Sequence, residues 1–262
     1  MIKALFLDID GTLVSFNTHR VPPSTIAALE QAKARGVRIF IATGRATLLI
    51  NNLGELQERD LIDGYVTLNG SYCIIGKQVV YKGAIPTGDV RAMLDFCTGR
   101  QCPCIVVAEH NLCVCNHQPI VDKLFHDFLK VDYLPHRTVD EALQMGDIFQ
   151  LTPFIDEEQE REIMSRLPGC ESGRWYPAFT DVTARGNNKQ KGIDEIIRPL
   201  GIRVDETMAF GDGGNDIPML RHAGIGVAMG NAADEVKAAA KYVTTSVDED
   251  GISKALQHFG IL

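Results

Sequence analysis

The 262-residue sequence contains no apolar run long enough to cross a membrane. It also has no excess of basic residues, because 26 lysines and arginines stand against 34 aspartates and glutamates, giving a net charge of −8. A chain of this charge is not expected to bind nucleic acid. Low-complexity tracts and internal repeats are also missing. These absences favour a globular protein whose partners include neither a membrane nor a nucleic acid.

Export from the cell is not expected either. The first strand-like run begins directly after Met1–Lys3, which leaves no room for a signal peptide. The seven cysteines are an odd number, and without an export signal this argues against a disulfide framework. We therefore expect a cytoplasmic protein.

Four cysteines, Cys102, Cys104, Cys113 and Cys115, flank a turn-like segment at 109–111. Strand alternation places all four on one face of a predicted hairpin. Two Cys-x-Cys pairs could converge on zinc, although structural zinc sites use wider spacings within each pair. Because cysteine is among the most buried residue types, the sequence favours four small buried side chains over a zinc site.

Short apolar runs alternate with helical patterns in both outer parts of the chain, which is typical of a parallel sheet with helices on both faces. The middle part changes to helix-then-hairpin units. We therefore predict an α/β fold with a doubly wound parallel-sheet core, made of residues 1–82 and 180–262, and an inserted α+β domain at 83–179. In this scheme residues 181–183 return to the core sheet, and a helix covers 47–57.

The most informative segment is Asp8–Thr12, with the sequence DIDGT, directly after the apolar run Ala4–Leu7. Such a run is typical of a buried parallel strand, and ligand sites in open α/β sheets lie at the carboxyl ends of the strands. Two close carboxylates, here Asp8 and Asp10, repel each other and resist burial unless a cation such as Mg²⁺ shares them. A simple Asp-Gly turn is the alternative interpretation.

Three further segments supply groups that this pair lacks. Thr43–Arg45 follows the second apolar run and offers a hydroxyl, backbone N–H groups and a guanidinium, all of which bind phosphate. Residues 211–216, GDGGND, follow a third run; their glycines let the backbone approach a ligand, and Asp212 can complete a metal site. Lys189 precedes an amphipathic helix. Each segment alone has an ordinary interpretation, as a helix start, a loop or a solvated charge, but the ordered set of four does not.

The four segments resemble, in order, the motifs of the haloacid dehalogenase superfamily of phosphohydrolases, and most closely those of its Cof-type branch. That branch acts on sugar phosphates and other small phosphorylated metabolites. The sequence departs from the branch's lysine motif, since Arg185 takes the first lysine position and Gln190 replaces the second glycine. Neither change touches Lys189, the lysine that the resemblance implies to be catalytic. The motifs extend over the whole chain and imply that the insert is a cap on a Rossmann-like core.

The resemblance also implies a role for each motif residue. Asp8 is expected to attack phosphorus and form an aspartyl phosphate, and Asp10 to act first as general acid and then as general base. The expected cofactor is Mg²⁺, held by the Asp8 carboxylate, the Asp10 backbone carbonyl and Asp212. The expected phosphate-binding residues are Thr43, Gly44, Lys189 and Asn215; Asn215 and Asp216 are expected to support the metal and Lys189, and Arg45 is a candidate substrate contact.

The activity implied is that of a Mg²⁺-dependent phosphatase of small phosphate monoesters, with hexose phosphates as the first candidates, in a monomer or weak homodimer. Alternatives are a phosphomannomutase-like phosphotransferase and a phosphatase of pyridoxal phosphate or flavin mononucleotide. A regulatory protein on an inactive scaffold is disfavoured, because every expected catalytic residue type is present. The sequence leaves open whether Arg45 contacts substrate or forms a salt bridge at the domain interface. It also leaves open whether Arg174 and Trp175 face substrate or the core of the insert.

Overall fold

The computed structural model describes residues 1–128, 131 and 134–262, without the side chains at 127, 128 and 175. The described chain divides into two compact units. The first consists of Met1–Gly44, Asn52–Tyr81 and Asn188–Leu262, and the second of Arg45–Asn51 and Lys82–Asn187. In the described part of the chain, every helix is too short or too polar to span a bilayer.

The described elements are numbered here in chain order. The strands are β1 (Ala4–Leu7), β2 (Arg38–Ala42), β3 (Gly64–Thr67), β4 (Tyr72–Ile75), β5 (Gln78–Lys82), β6 (Cys104–Ala108), β7 (Leu112–Cys115), β8 (Ile148–Pro153), β9 (Cys170–Tyr176), β10 (Phe179–Ala184), β11 (Thr207–Gly211), β12 (Ile225–Ala228) and β13 (Tyr242–Val243). The α-helices are α1 (Pro23–Ala34), α2 (Gly54–Glu58), α3 (Thr87–Arg100), α4 (Pro119–Asp122), α5 (Val139–Leu143), α6 (Glu157–Met164), α7 (Lys189–Leu200), α8 (Ile217–His222), α9 (Asp234–Ala239) and α10 (Gly251–His258).

The sheet of the first unit has the strand order β13-β12-β11-β1-β2-β3-β4-β5. Its strands from β13 to β3 run parallel, and β4 pairs with β3 in the antiparallel sense. From β1 the chain moves outward through β2 and β3, and later returns to the other side of β1 as β11, β12 and β13. This order confirms the predicted doubly wound α/β fold. It also places the switch point, where such folds bind ligands, at the carboxyl ends of β1 and β11.

The core of the first unit explains why its strands are continuous apolar runs. All four residues of β1 are fully buried, as expected for a central strand with helices on both faces. Phe6 of β1 stacks on Phe40 of β2 with ring centroids 5.2 Å apart. These rings belong to an apolar cluster with residues of α7, α8 and α9, among them Ile193 and Leu220. The cluster fixes α7 against the sheet, and α7 begins with Lys189.

The second unit contains an antiparallel sheet with the order β7-β6-β8-β10-β9. The prediction that residues 181–183 return to the core sheet is wrong. They lie in β10, which pairs with β9 and β8. The cause is local, because only two residues separate β9 from β10, so β10 turns back along β9 in the same sheet. The predicted boundary between 179 and 180 therefore lies inside this sheet, and the second unit continues to Asn187.

The helix predicted at 47–57 is also wrong as a single element. Its place is taken by a 3-10 turn at Thr47–Leu49 and the short helix α2. Asn51 and Asn52 lie between the two, and asparagine has low helix propensity. The 3-10 turn belongs to the second unit and α2 to the first.

The cysteine hairpin forms as predicted from β6 and β7. Cys104 lies directly opposite Cys115, and Val106 opposite Cys113. Together with Cys102 they join one buried apolar cluster, which confirms that these cysteines share a face and are small buried side chains. Burial raises the pKa of the Cys104 thiol.

Arg174 is part of the second unit's own packing. Its guanidinium lies 2.5 Å from the carboxylate of Glu160 and donates hydrogen bonds of 2.9 Å to the carbonyls of Ile155 and Pro177. A third carbonyl, that of Phe179, accepts at 3.1 Å. These bonds tie Arg174 to neighbouring residues of the second unit. The side chain of Trp175 lies outside the described part of the chain.

Candidate active site

The centre of the candidate site lies where β1 and β11 end side by side. Leu7 of β1 pairs with Phe210 of β11, and the backbone N–H of Asp8 donates to the Phe210 carbonyl at 3.1 Å. The next residues of the two strands are therefore Asp8 and the segment that carries Asp212. The Thr12 hydroxyl donates to Asp212 Oδ1 at 2.7 Å. Parallel pairing thus brings the first and the last motif of the sequence together.

Gly11 is needed for this close approach. Its φ of +85° lies in the left-handed region, and a Cβ atom at this position would lie 2.2 Å from Asp212 Oδ2. The Gly11 carbonyl accepts a hydrogen bond of 2.9 Å from the side-chain amide of Asn231. Asn231 was missed by the sequence analysis. It follows β12 at the same edge of the sheet, so the position of strand ends could have identified it.

Lys189 is completely buried and lies between two carboxylates. Its Nζ is 2.6 Å from Asp8 Oδ1 and 2.5 Å from Asp216 Oδ1. The other oxygen of Asp216 accepts the backbone N–H groups of Asp212 and Gly213, both at 2.9 Å. Asp216 therefore fixes both the lysine and the loop that carries Asp212.

Helix α7 fixes the position of this lysine, because the first turn of the helix is held both by its cap and by its packing on the sheet. The side chain of Asn188 caps the helix by accepting the N–H of Lys191 at 2.9 Å. On the sheet side, Gly192 lets the helix approach β3, since a Cβ atom there would lie 2.1 Å from Val66 Cγ1. Lys189 is thereby fixed at the first position of the helix.

Burial dominates the electrostatics of the site. Burial raises the pKa of Asp8 well above its usual range, and the charge of Lys189 only partly opposes this. Burial also raises the pKa of Asp212 to about 7, with the charge of Asp216 as the next cause. For Lys189 burial opposes the charged form, but the charges of Asp216 and Asp8 outweigh it and raise its pKa. The cluster therefore has more buried carboxylates than one lysine can neutralise.

One carboxylate oxygen from each of Asp8, Asp212 and Asp216 lies within 4.8 Å of the others. Carboxylate oxygens are the preferred ligands of hard divalent cations, and such a cation would relieve the repulsion among these groups. The donor set therefore fits a divalent metal ion. Both oxygens of Asp216 accept short hydrogen bonds from Lys189 and the loop, whereas Asp212 Oδ2 accepts a longer hydrogen bond, of 3.4 Å, from Asn231. Asp8 and Asp212 are therefore better placed to coordinate an ion.

The second motif is linked to the last through Asn69. The buried Thr43 donates its backbone N–H to Val66 at 2.8 Å, and its carbonyl accepts the N–H of Asn69 at 3.1 Å. The side-chain oxygen of Asn69 accepts the Asn215 amide at 3.0 Å. Asn69 adopts a left-handed φ of +51° after β3. No motif in the sequence identified Asn69 as a functional residue.

Two further predicted residues are Asp10 and Arg45. Asp10 is half-buried in the turn after β1, where it forms a backbone bridge with Val14. Arg45 belongs to the second unit, and its guanidinium donates to the Leu49 carbonyl at 3.0 Å.

Known proteins share both the sequence pattern and this fold. Residues 5–256 match the family model of the haloacid dehalogenase-like hydrolases. A solved structure described as the HAD subclass IIB sugar phosphatase BT4131 is 62% identical, with 99% of this chain and 100% of that chain covered and a TM-score of 0.96. The structure of BT1666 from Bacteroides thetaiotaomicron, described among phosphatases of the same superfamily, is 39% identical, covers 100% of this chain and 96% of its own, and has a TM-score of 0.89.

Among curated proteins, YkrA of Bacillus subtilis strain 168 is 34% identical over 99% of this chain and 98% of its own length. The match to the family model covers all four motif segments. The chain therefore belongs to the family of haloacid dehalogenase-like hydrolases, as the resemblance of its motifs predicted.

Proposed function

We propose that this protein is a Mg²⁺-dependent phosphohydrolase that releases phosphate from sugar phosphates, with hexose phosphates as the preferred substrates. The observation that carries the proposal is the position of Asp8 at the switch point of the sheet, 2.6 Å from the buried ammonium of Lys189. Among the similar proteins, BT4131 is itself described as a sugar phosphatase. The domain predicted at 83–179 is proposed to select the substrate.

The metal ligands proposed are the carboxylates of Asp8 and Asp212 and the backbone carbonyl of Asp10. Asp216 and Asn215 are proposed to support these ligands. Asp216 does so by accepting hydrogen bonds from N–H groups of the loop that carries Asp212. Bound Mg²⁺ would supply positive charge that keeps Asp8 ionised in its buried position and offsets the charge of the phosphoryl group.

In the first chemical step, a carboxylate oxygen of Asp8 attacks phosphorus and forms the aspartyl phosphate, while the bond from phosphorus to the sugar oxygen breaks. The carboxyl group of Asp10 gives its proton to the leaving alkoxide. Lys189 is already held beside Asp8, so its charge needs no reorganisation during the displacement.

In the second step, Asp10 accepts a proton from water, and the water oxygen attacks phosphorus. The bond between phosphorus and Asp8 breaks, which regenerates the carboxylate and releases inorganic phosphate. Thr43, the Gly44 N–H and Asn215 are proposed to hold the phosphoryl oxygens in both steps.

The test is a phosphate-release screen with the full chain, in Mg²⁺ and in a chelator. The substrates are hexose and pentose phosphates, phosphoglycolate, pyridoxal phosphate and flavin mononucleotide. We expect the highest kcat/KM for a hexose phosphate, and loss of activity in the chelator. Asp194→Asn is the matched control for Asp8→Asn, because Asp194 lies in the same unit and pairs with His222 instead. Absence of release from every substrate, or equal release in the chelator, would contradict the proposal.

A phosphotransferase is distinguished by its product. If Asp8 passes the phosphoryl group to a sugar instead of to water, a hexose bisphosphate will activate the enzyme, and an isomeric sugar phosphate will form without inorganic phosphate. We expect inorganic phosphate to match the substrate consumed, with no activation by a bisphosphate.

A further inference from the structure

A second group of metal-ligating side chains lies in the second unit and belongs to none of the four motifs. It consists of His117, Asp122 and His136, each of which offers one ligand atom within 4.8 Å of the others. His117 Nε2 is 2.9 Å from one carboxylate oxygen of Asp122 and 3.0 Å from the other. The rings of His117 and His136 lie 3.8 Å apart between centroids, with 23° between their planes.

The backbone fixes the positions of all three residues. His117 precedes α4, which begins at Pro119 and ends at Asp122, so a single helical turn brings the carboxylate back to the imidazole. His136 forms a bridge with Val114 of β7. On its two sides, the N–H of Val114 donates to Pro135 at 2.8 Å, and the N–H of Arg137 donates to Val114 at 3.1 Å. The second histidine is therefore held at the edge of the sheet, beside the first.

We propose that His117, Asp122 and His136 form a second metal site, which takes Zn²⁺ or a similar divalent transition-metal ion. Two imidazoles and one carboxylate are a ligand set suited to zinc, with water in the fourth position, whereas Mg²⁺ prefers oxygen ligands alone. Ligand atoms around a tetrahedral zinc ion are about 3.4 Å apart. The spacing of His117 and Asp122 is already close to this value, and ion binding would replace their hydrogen bond.

A metal ion can also reach the proposed site. Asp122 and His136 are exposed, so an ion can reach them from solvent. The two rings are stacked, and their nitrogens must turn towards a common centre for both to bind one ion. The other explanation of the group is an ordinary surface ion pair of His117 with Asp122, which would contribute little to stability and have no preference for a metal.

The experiment measures Zn²⁺ binding by the full chain at mildly alkaline pH, where imidazole is neutral. Excess Mg²⁺ occupies the carboxylate site, and a chromophoric chelator competes for zinc. The variants are His117→Gln, His136→Gln and Asp122→Asn. His110→Gln is the matched control, because this histidine of the same unit has a side chain 81% exposed and lies outside the group. Co²⁺ replaces Zn²⁺ in a parallel titration, in which its visible absorption reports nitrogen ligands and tetrahedral geometry.

We expect the wild type and His110→Gln to bind one equivalent of Zn²⁺ that Mg²⁺ does not displace. Each of the three site variants should bind it at least about tenfold more weakly and lose the Co²⁺ absorption. The proposal is overturned if the wild type binds no such equivalent, or if the histidine variants bind it as tightly as the control. If His117→Gln fails to fold, His136→Gln and Asp122→Asn, which change exposed residues, are compared with the control in its place. Thermal unfolding of each variant identifies that case.

Discussion

The hydroxyl of Thr12 donates a 2.7 Å hydrogen bond to Asp212, a residue 200 positions later in the chain. The bond joins the turn after β1 to the loop after β11. It occupies one carboxylate oxygen with a neutral donor, and so orients Asp212 without neutralising it. A carboxyl group oriented in this way is positioned to coordinate a cation, because its rotation is restricted.

Replacement of Asp8 by Asn should abolish turnover and leave the fold intact. The change keeps the side-chain volume but removes the nucleophile and a proposed metal ligand, so kcat should fall by about 10³-fold or more. Lys189 would still be paired with Asp216, so the buried ammonium is not left alone. Phosphate release measures the loss of turnover, and circular dichroism of the same sample shows whether the fold is intact. A folded variant with near-normal turnover would exclude the aspartyl-phosphate mechanism.

Asp10→Asn should distinguish substrates by their leaving groups. An aryl phosphate releases a stable anion and needs little protonation, whereas a sugar alkoxide needs the proton of a general acid. We therefore expect a much larger loss of kcat on a hexose phosphate than on an aryl phosphate. Rapid-quench measurement of the phosphorylated enzyme gives the rate of the first step directly. Equal losses on both substrates would contradict the acid role of Asp10.

Lys189→Met should affect every substrate and the stability of the protein as well. Loss of a preorganised charge is expected to lower kcat by about 10²-fold or more. Stability should fall by about 3–5 kcal/mol at neutral pH, because Asp8 and Asp216 lose their shared buried cation. This loss should shrink at acid pH, since a protonated carboxyl group needs no cation. Unfolding in urea at several pH values measures it.

The matched control for Lys189→Met is Lys191→Met, two residues along the same helix. Lys191 is half-exposed and pairs with Glu195. We expect this variant to keep the wild-type kcat. An unchanged kcat in Lys189→Met would overturn the catalytic assignment.

The sequence predicts most of the candidate site because parallel strands bring their carboxyl ends to one edge of a sheet. The apolar runs before Asp8 and Asp212 are strands β1 and β11, and their pairing follows from the doubly wound order. Once two motifs are known to follow neighbouring strands, the strand order alone predicts that they lie close together. Lys189 is different, since its distance from Asp8 depends on the close approach of α7 at Gly192, which no periodicity reveals.

The parts that could not be predicted depend on tertiary pairing. Nothing in residues 181–183 distinguishes a core strand from one in the second sheet; the pairing of β10 with β9 decides it. Asn69 was missed for a similar reason, because its hydrogen bond to Asn215 connects loops far apart in sequence. Asparagine after a strand is common in turns, so its type alone gives no functional signal.

The raised pKa of Asp212 predicts a particular dependence of stability on pH. In the metal-free folded protein this group holds its proton up to about pH 7, whereas in the unfolded chain it loses it near the ordinary value of 3.8. Between these values the folded state binds more protons, so stability should decrease as pH rises, by at most about 4 kcal/mol for this group. Asp212→Asn should remove this part of the slope.

Urea unfolding in a chelator, at pH values across that window, tests the prediction. Mg²⁺ should stabilise the wild type most above about pH 7, where Asp212 is ionised and can bind the cation. The variant should gain little from Mg²⁺ at any pH. If the wild type and Asp212→Asn show the same pH slope, Asp212 does not titrate as described.

Arg45→Ala should separate substrate contact from a structural role. If the guanidinium contacts a hydroxyl or carboxylate of the substrate, its loss should raise KM for sugar phosphates by about tenfold or more and leave an aryl phosphate little changed. If Arg45 acts only through its hydrogen bond to the Leu49 carbonyl, the turn that follows it loosens and both substrates are affected equally. Arg45→Lys refines the comparison, because lysine keeps the charge but lacks the planar fork. If the substrate contact needs the planar guanidinium, Arg45→Lys should raise KM for the sugar phosphate as much as Arg45→Ala does and leave KM for the aryl phosphate little changed. If both substrates are impaired equally, Arg45 acts by holding the turn at its hydrogen bond to Leu49.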